Sequence, residues 1–214
     1  MIEAVLFDMD GVLVDSEELI FLAAKQMFAE HDIKVTRDDF KPFIGTGEDS
    51  YLGNVAKKYG YEMDVARDKA RTYRIYEQLA PGRLELLPGV NDFINRCKKR
   101  QLKLAVATSA DLEKMNVNLQ VTRLKSGIFD ATVNGLEVNN KKPHPEIYLK
   151  AAEKLLVKPS ACLVVEDAVS GVEAAKAAGA KCLAVATSFS RDDLLKADWI
   201  VENLTEAPED ALIW

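Results

Sequence analysis

Cysteine and histidine are scarce in this sequence, which contains three cysteines and two histidines among 214 residues. The cysteines, Cys97, Cys162 and Cys182, lie far apart and form no CxxC pair. This spacing provides neither a disulfide framework nor a zinc-binding motif. We therefore expect buried free thiols and a reducing compartment, which predicts a cytoplasmic location.

The sequence also lacks an excess of positive charge and a long hydrophobic run. Acidic residues outnumber basic ones by 34 to 28, which gives a net charge of −6. Nucleic acids and anionic membranes attract basic patches, so we expect neither as a partner. No apolar stretch approaches the ~20 residues of a membrane-spanning helix, and residues 1–7 lack the basic start of a signal peptide. A small anionic substrate is still compatible, because a local cation can outweigh the overall charge.

Short apolar runs are frequent, and they alternate with helical patterns. Each run is rich in Val, Leu, Ile or Ala and most show little polar alternation, which is typical of strands buried on both faces of a parallel sheet. The runs are residues 4–7, 102–107, 162–165, 182–186 and 199–201. Helical patterns follow at residues 90–100, 146–156 and 169–178. This alternation predicts a Rossmann-like, doubly wound α/β fold.

Residues 18–84 interrupt the alternation of strands and helices. Helical patterns occur there at residues 18–30, 49–59 and 65–78, without a convincing buried strand. We therefore predict an α/β core domain made of residues 1–15 and 85–214, and an inserted all-helical domain of residues 16–84. Because the insert follows the first strand directly, we expect it to lie as a cap over the end of that strand.

Polar and charged side chains follow the predicted strands at their carboxyl ends. They are Asp8 and Asp10 after the first strand, Thr108 and Ser109 after the second, Glu166 and Asp167 after the third, and Lys142 in a loop that precedes the third. The carboxyl ends of parallel strands meet at one edge of the sheet, where ligands bind in such folds. We therefore expect one site that combines four carboxylates, one or two hydroxyls and a lysine.

Four clustered carboxylates repel one another unless some are protonated or a cation lies among them. All the candidate ligands are oxygen atoms, which favours Mg²⁺ over Ca²⁺ and makes Zn²⁺ a poor fit. Mg²⁺ usually binds one or two carboxylates together with a substrate phosphate. The remaining phosphate oxygens suit Thr108, Ser109 and Lys142. Two aspartates in an Asp-x-Asp pair suit a nucleophile that attacks phosphorus and a general acid for the leaving oxygen.

Four segments of the sequence resemble, in order, the motifs of the haloacid dehalogenase superfamily. They are AVLFDMDGVLVDSE at residues 4–17, the Thr108-Ser109 strand end, Lys142-Pro143, and LVVEDAVSGVEAAKAAG at residues 163–179. More narrowly, they resemble its β-phosphoglucomutase-like phosphatases with a helical cap. The resemblance covers nearly the whole chain.

This resemblance implies a role for each residue of the predicted site. Asp8 would be the nucleophile that becomes an aspartyl-phosphate, and Asp10 the general acid and base. Lys142 would neutralise the phosphoryl group and restrain Asp8. Thr108 and the backbone N–H of Ser109 would bind the same phosphoryl group. The implied Mg²⁺ ligands are Asp8, Asp10 through its backbone carbonyl, Asp167 and the adjacent Glu166.

Two positions differ from the relatives that act as phosphomutases. Those relatives often carry a histidine shortly after the first motif, where this chain has Ile20, and a cap arginine for a second phosphate, where it has Glu48. A carboxylate repels a phosphate, so the sequence favours hydrolysis over mutase activity. We predict a Mg²⁺-dependent phosphatase of small phosphomonoesters, such as a phosphosugar or similar metabolite, and expect a monomer.

Two alternatives stay open at this point. One is a phosphomutase of the β-phosphoglucomutase type, and the other is a non-catalytic phosphate-binding or regulatory module on the same scaffold. A binding module needs no second aspartate for acid–base chemistry, so Asp10 favours an enzyme. The sequence does not name the substrate, although Glu48, Tyr51 and Tyr76 in the insert are candidates for selectivity.

Several other patterns have simpler interpretations. An EF-hand would need Gly at its sixth position and Glu at its twelfth, whereas this chain has Gly11 at the fourth and Leu19 at the twelfth. Residues 45–47 resemble part of a dinucleotide-binding loop but lack its third glycine and preceding strand, so we expect a cap loop that faces the site. We expect His144 to shape its proline-bounded loop and Lys141 to be a solvated neighbour of Lys142.

Overall fold

A parallel sheet lies at the centre of the computed structural model, which describes residues 1–44, 46–124 and 127–214. In spatial order the sheet runs β3-β2-β1-β4-β5-β6, and every neighbouring pair is parallel. Its strands are β1 (Ala4–Phe7), β2 (Lys103–Ala107), β3 (Ala131–Val133), β4 (Cys162–Glu166), β5 (Lys181–Val185) and β6 (Trp199–Val201). Strands β2 and β3 follow on one side of β1, and strands β4, β5 and β6 lie on its other side. The order of the strands therefore reverses between β1 and β4, which is the topological switch point. This order confirms the predicted Rossmann-like fold.

Both faces of the sheet are covered, which explains why its central strands are apolar without alternation. Val5 and Phe7 of β1 belong to one buried cluster, and Ala4 and Leu6 belong to another on the opposite face. The register pairs Phe7 with Val106 of β2 and with Val165 of β4. The residues that follow these three positions are therefore neighbours at the carboxyl edge of the sheet.

Helices follow the strands and fill the insert. In chain order they are α1 (Glu17–Ala29), α2 (Arg37–Phe40), α3 (Glu48–Lys58), α4 (Val65–Leu79), α5 (Val90–Lys99), α6 (Leu112–Val121), α7 (Glu146–Lys154) and α8 (Val169–Ala177). Short 3₁₀ turns occur at Lys41–Phe43, Gly135–Glu137, Pro159–Ala161, Arg191–Leu194, Leu204–Glu206 and Glu209–Leu212. The six predicted helices are present within two residues of their expected bounds, whereas α2, α6 and β3 were not predicted.

The insert between β1 and α5 contains helices α1–α4 and no strand among its described residues. Its own apolar contacts include the ring of Phe40, which lies 5.7 Å from Phe21 and 4.6 Å from Tyr51 between ring centroids. Gly45, part of the loop at residues 45–47, lies outside the described residues. The division into a core domain and a cap domain at residues 16 and 84 stays a prediction.

A buried carboxylate, Asp39, joins α2 to the end of α3. It accepts hydrogen bonds from Lys58, from the backbone N–H of Thr36 at 2.7 Å, from the Thr36 hydroxyl at 2.9 Å and from the Tyr59 hydroxyl at 2.9 Å. Burial alone would raise the pKa of Asp39, but these donors outweigh it and hold the pKa well below its usual range. The ionised carboxylate therefore stabilises this corner of the insert.

The three cysteines are free and buried, which confirms the predicted thiols. In the parts of the chain that the structure describes, no helix is both long enough and apolar enough to cross a lipid bilayer.

Candidate active site

A cavity lies at the carboxyl edge of the sheet, beside the switch point between β1 and β4. All seven residues of the predicted site line it: Asp8, Asp10, Thr108, Ser109, Lys142, Glu166 and Asp167. Residues of the insert line the same cavity, among them Ile20, Glu48 and Tyr51. The structure thus brings together groups that are up to 159 positions apart in the chain, and it places the insert above them.

Asp8 and Lys142 form a buried ion pair at the centre of the cavity. Asp8 directly follows β1, and its backbone N–H donates to the carbonyl of Val165 at 2.9 Å. The Lys142 Nζ donates to Asp8 Oδ1 at 2.5 Å and to Glu166 Oε1 at 2.5 Å. Burial lowers the pKa of Lys142, but the two carboxylates outweigh it and hold that pKa above the usual range. Lys142 is therefore a fixed positive charge against Asp8.

The carboxylate of Asp8 is difficult to ionise without a further cation. Burial raises its pKa to about 7, although Lys142 lowers it, and the nearby Glu166 and Asp10 carboxylates raise it further. Burial also raises the pKa of Asp167 well above its usual value, and the charges of Glu166 and Asp8 add to this effect. The carboxylates at this edge therefore repel one another unless a proton or a cation lies among them.

Glu166 uses its four acceptor positions within the protein. Oε1 accepts from Lys142 and from the Tyr148 hydroxyl at 2.7 Å. Oε2 accepts from the backbone N–H groups of Asp167 and Ala168, at 2.8 and 2.9 Å. A carboxylate offers about four lone-pair positions. These contacts orient Lys142 and leave Glu166 poorly suited to bind the metal, the role that the sequence suggested for it.

Asp10 has its own set of donors, separate from those of Asp8. Its Oδ1 accepts from the Ser16 hydroxyl and from the Asn118 side-chain amide at 3.2 Å, and its Oδ2 lies 3.0 Å from the Lys114 Nζ. Lys114 and Asn118 lie on α6, and neither was predicted. Only the topology could have indicated α6, because a crossover from β2 to the parallel strand β3, itself not predicted, normally contains a helix.

The four carboxylates do not form one metal-binding cluster. Among residues 1–44, 46–124 and 127–214, no three His, Cys, Asp or Glu side chains are arranged as metal ligands. Protein donors hold the side chains of Asp10 and Glu166. The carboxylates of Asp8 and Asp167 remain, and two carboxylates with a substrate phosphate are a usual Mg²⁺ donor set. These donors fit Mg²⁺ better than the larger cluster expected from the sequence.

Gly11 allows the chain to pass directly over Asp167. A Cβ at this position would lie 2.0 Å from Asp167 Oδ2, and the residue has a φ of +83°, which favours glycine. The glycine that follows the Asp-x-Asp pair therefore allows the loop after β1 to lie against the Asp167 carboxylate.

Thr108 and Ser109 lie at the end of β2, on the side of the cavity expected to bind phosphate. Thr108 is buried, and its backbone N–H donates a hydrogen bond to the Val133 carbonyl at 3.0 Å. Its hydroxyl oxygen accepts a hydrogen bond from the Ala110 N–H at 3.1 Å. The hydroxyl proton of Thr108 can therefore point to an acceptor in the cavity. This arrangement suits a phosphate oxygen.

Other residues considered from the sequence have structural contacts. His144 has a half-exposed side chain 3.9 Å from Glu146 and is not among the described residues that line the cavity. Lys141 is exposed, as predicted, and its Nζ also donates to the carbonyl of Gly135. Tyr76 is buried, and its hydroxyl donates to Asn118 Oδ1 at 2.6 Å.

The fold and this edge of the sheet define a class of hydrolase. Residues 5–185 match the family described as haloacid dehalogenase-like hydrolase, and the chain belongs to this family. Within it, the chain falls among the β-phosphoglucomutase-like phosphatases, as the sequence predicted.

Individual relatives support this placement. The phosphorylated carbohydrates phosphatase of Thermotoga maritima is 36% identical over 83% of this chain and 82% of its own length. SUPPRESSOR OF QUENCHING 1 of Arabidopsis thaliana is 43% identical over 88% of this chain, which spans only 18% of that longer protein. The crystal structure of CbbY from Rhodobacter sphaeroides with xylulose-1,5-bisphosphate matches with a TM-score of 0.89 and 29% identity, over 99% of both chains.

Proposed function

We propose that this protein is a Mg²⁺-dependent phosphatase that hydrolyses small phosphomonoesters, such as sugar phosphates, through an aspartyl-phosphate on Asp8. The proposal is carried by the placement of Asp8, at the switch point of the sheet with the Lys142 ammonium at 2.5 Å. Phosphoryl transfer depends mainly on positioning and on neutralising charge, and this pair provides both.

In the first step, a carboxylate oxygen of Asp8 attacks phosphorus and the bond from phosphorus to the ester oxygen breaks. Asp10 gives its proton to the departing ester oxygen, which leaves as an alcohol. In the second step, Asp10 takes a proton from a water molecule while that water attacks the phosphorus of aspartyl-phosphate. The bond from phosphorus to Asp8 breaks, inorganic phosphate is released, and both aspartates return to their starting states.

The surrounding residues hold the reacting groups. Lys142 restrains the nucleophile and neutralises phosphoryl oxygens, and Glu166 positions Lys142 from behind. Thr108 and the backbone N–H of Ser109 donate to the same phosphoryl group. Mg²⁺, held by the carboxylates of Asp8 and Asp167 and by the backbone carbonyl of Asp10, would supply further positive charge to the phosphoryl oxygens.

The choice of hydrolysis over phosphomutase activity is supported by the residues above the cavity. Ile20 and Glu48 both line it, so neither offers a positive charge to a second phosphate. The printed name of the Thermotoga relative supports a phosphorylated carbohydrate as substrate. The predicted cytoplasmic location, the monomeric state and the absence of nucleic-acid and membrane partners stay predictions.

The test is release of inorganic phosphate from p-nitrophenyl phosphate and from a panel of phosphorylated metabolites, with Mg²⁺ and with a chelator. Asp8→Asn should abolish turnover while the protein stays folded, and Asp92→Asn on the exposed surface of α5 is the matched control. Normal turnover by Asp8→Asn would contradict the nucleophile. Conversion of a hexose 1-phosphate to the 6-phosphate without released phosphate would indicate a mutase, and absence of metal-dependent turnover would indicate a binding module.

A further inference from the structure

Two polar side chains of the helix after β2 join the insert to the core. Lys114 and Asn118 are four positions apart on α6, so they lie on the same face of this helix. The Lys114 Nζ lies 3.2 Å from Glu48 Oε1 at the start of α3, and the Tyr76 hydroxyl of α4 donates to Asn118 Oδ1 at 2.6 Å. Both α6 side chains are buried, so each has a partner in the insert at a place with little access for water.

The same two side chains also contact Asp10, the proposed donor of a proton to the ester oxygen. The Lys114 Nζ lies 3.0 Å from Asp10 Oδ2, and the Asn118 side-chain N–H donates to Asp10 Oδ1 at 3.2 Å. Because the Asn118 oxygen accepts from Tyr76, the amide nitrogen is the end of the side chain that faces Asp10. Each residue of the pair is therefore a direct link between the insert and Asp10.

These contacts set the orientation of the Asp10 carboxyl group. The last torsion of an aspartate side chain is broad, so a carboxyl group without partners takes many orientations. Here Oδ1 accepts from the Ser16 hydroxyl and from Asn118, and Oδ2 faces Lys114. A carboxylate offers about four acceptor positions, and these contacts leave one of them, on Oδ2. A general acid has to bring one oxygen within hydrogen-bond reach of the group that it protonates, and Oδ2 has the open position for this.

We propose that Lys114 and Asn118 are positioning residues, which hold the Asp10 carboxyl group with its open Oδ2 position toward the departing ester oxygen. Glu48 and Tyr76 hold these two side chains in turn, so the insert acts on proton donation through α6 as well as covering the cavity. Neither Lys114 nor Asn118 belongs to the four sequence motifs of the site. This inference rests on the proposed phosphatase function and adds the residues that align its acid.

A role in merely joining the insert to the core is the competing explanation, and a second lysine provides the comparison. Lys69 of α4 lies 2.6 Å from Asp49 of α3 and 2.7 Å from Asp111, the residue that precedes α6. It therefore links a carboxylate of the insert to a carboxylate of the core, as Lys114 does. Lys69 and its two partners are not among the described residues that line the cavity. If Lys114 only joined the two parts, its replacement would act like the replacement of Lys69.

The experiment compares kcat/KM for phenyl phosphate and p-nitrophenyl phosphate in the presence of Mg²⁺. The two esters have similar shapes, but phenolate is a stronger base than p-nitrophenolate, so its departure depends more on a proton from the acid. Lys114→Met should lower the ratio of phenyl to p-nitrophenyl phosphate by about fivefold or more, since a positioned acid contributes about a hundredfold or more. Asn118→Leu should lower the same ratio by about threefold or more. Loss of folded protein cancels in the ratio.

Lys69→Met is the matched control, and its ratio should equal that of wild type. In the Asp10→Asn protein, a further Lys114→Met change should leave the ratio unchanged, because a residue that acts through Asp10 has no effect once that acid is removed. Should the Lys114 and Asn118 variants fail to fold, Tyr76→Phe keeps the aromatic ring and removes the hydroxyl that orients the Asn118 amide. Its ratio should fall by about twofold or more.

Equal losses on both esters in the folded Lys114 and Asn118 variants would overturn the inference, as would an undiminished effect of Lys114→Met in the Asp10→Asn protein. If those variants do not fold, a wild-type ratio in Tyr76→Phe overturns it. Each of these results would leave phosphatase activity standing. Failure of wild type to release phosphate from any ester would instead overturn the proposed function itself.

Discussion

Replacing Gly171 by alanine tests the contact that holds Lys142, the lysine proposed to act on the phosphoryl group. Gly171 lies in α8, where alanine would ordinarily stabilise a helix by about 1 kcal/mol. Here, a Cβ would lie 1.7 Å from Glu166 Oε1 and 1.9 Å from its Cδ. The helix therefore packs against the Glu166 carboxylate so closely that only glycine leaves it room.

The carboxylate cannot move away at low cost. It accepts from Lys142 at 2.5 Å, from Tyr148 at 2.7 Å and from two backbone N–H groups at 2.8 and 2.9 Å. Disrupting a buried, paired charge costs about 3–5 kcal/mol. After the helix gain of about 1 kcal/mol, we expect Gly171→Ala to lower the free energy of unfolding by about 2–4 kcal/mol.

Urea unfolding and Mg²⁺-dependent phosphate release give the two measurements. Gly171→Ala should lose about tenfold or more in kcat, because displaced Glu166 no longer orients Lys142 and misplacement of a catalytic group by about 1 Å can cost a hundredfold. The matched control is Gly53→Ala in α3, where a Cβ would meet no atom within 4 Å. That control should be slightly stabilised and fully active, and a Gly171→Ala protein that behaves like it would refute the reasoning.

Three further predictions concern the insert, the Glu166 contacts and the metal. Asp39→Asn should lower the free energy of unfolding by about 2 kcal/mol at pH 7. Because folding lowers the pKa of Asp39, its contribution to stability is present above the unfolded pKa of about 3.9 and is lost as the pH falls below it. The free energies of unfolding of the two proteins, measured in urea, should therefore converge as the pH falls. Tyr148→Phe removes one of the four donors to Glu166 and should cost about 1–2 kcal/mol with a smaller loss of kcat than Gly171→Ala, and a larger loss would contradict this ranking. Millimolar Mg²⁺ should raise the Tm of wild type but not that of Asp167→Asn, and an equal rise in both proteins would argue against Asp167 as a ligand.

The sheet was predictable because its central strands are buried on both faces. Runs such as Ala4–Phe7 contain no polar residue, and parallel pairing then brings the residues after each run to one edge. The short edge strand Ala131–Val133 was not predicted because its Ala-Thr-Val sequence contains a polar residue, whereas the equally short strand Trp199–Val201 is apolar throughout. Helix α6 was missed because Met115, Val117, Leu119 and Val121 alternate along the sequence as the residues of a strand would.

The sequence predicted which residues line the site better than it predicted their hydrogen-bond and ion-pair partners. Position at a strand end placed Asp8, Asp10 and Glu166 correctly, but the assignment of Glu166 to the metal used only its charge. Lys142, Tyr148 and two backbone N–H groups decide its orientation, and these contacts depend on how α7 and α8 pack on the sheet. Lys114 gave no local signal, because its role follows from Glu48 and Asp10 lying on either side of it.

Two aspartates separated by one residue coexist here because each has its own lysine. Lys142 joins Asp8 to Glu166, and Lys114 joins Asp10 to Glu48. Since Lys142 comes from a loop and Lys114 from α6, the proposed nucleophile and the proposed acid have separate partners, although they are only two positions apart in the chain. Neither lysine lies within ion-pair distance of Asp167, and burial raises the pKa of this carboxyl well above its usual value. This division of charge supports the proposed Mg²⁺ ion at Asp167 even though the cavity already contains two lysines.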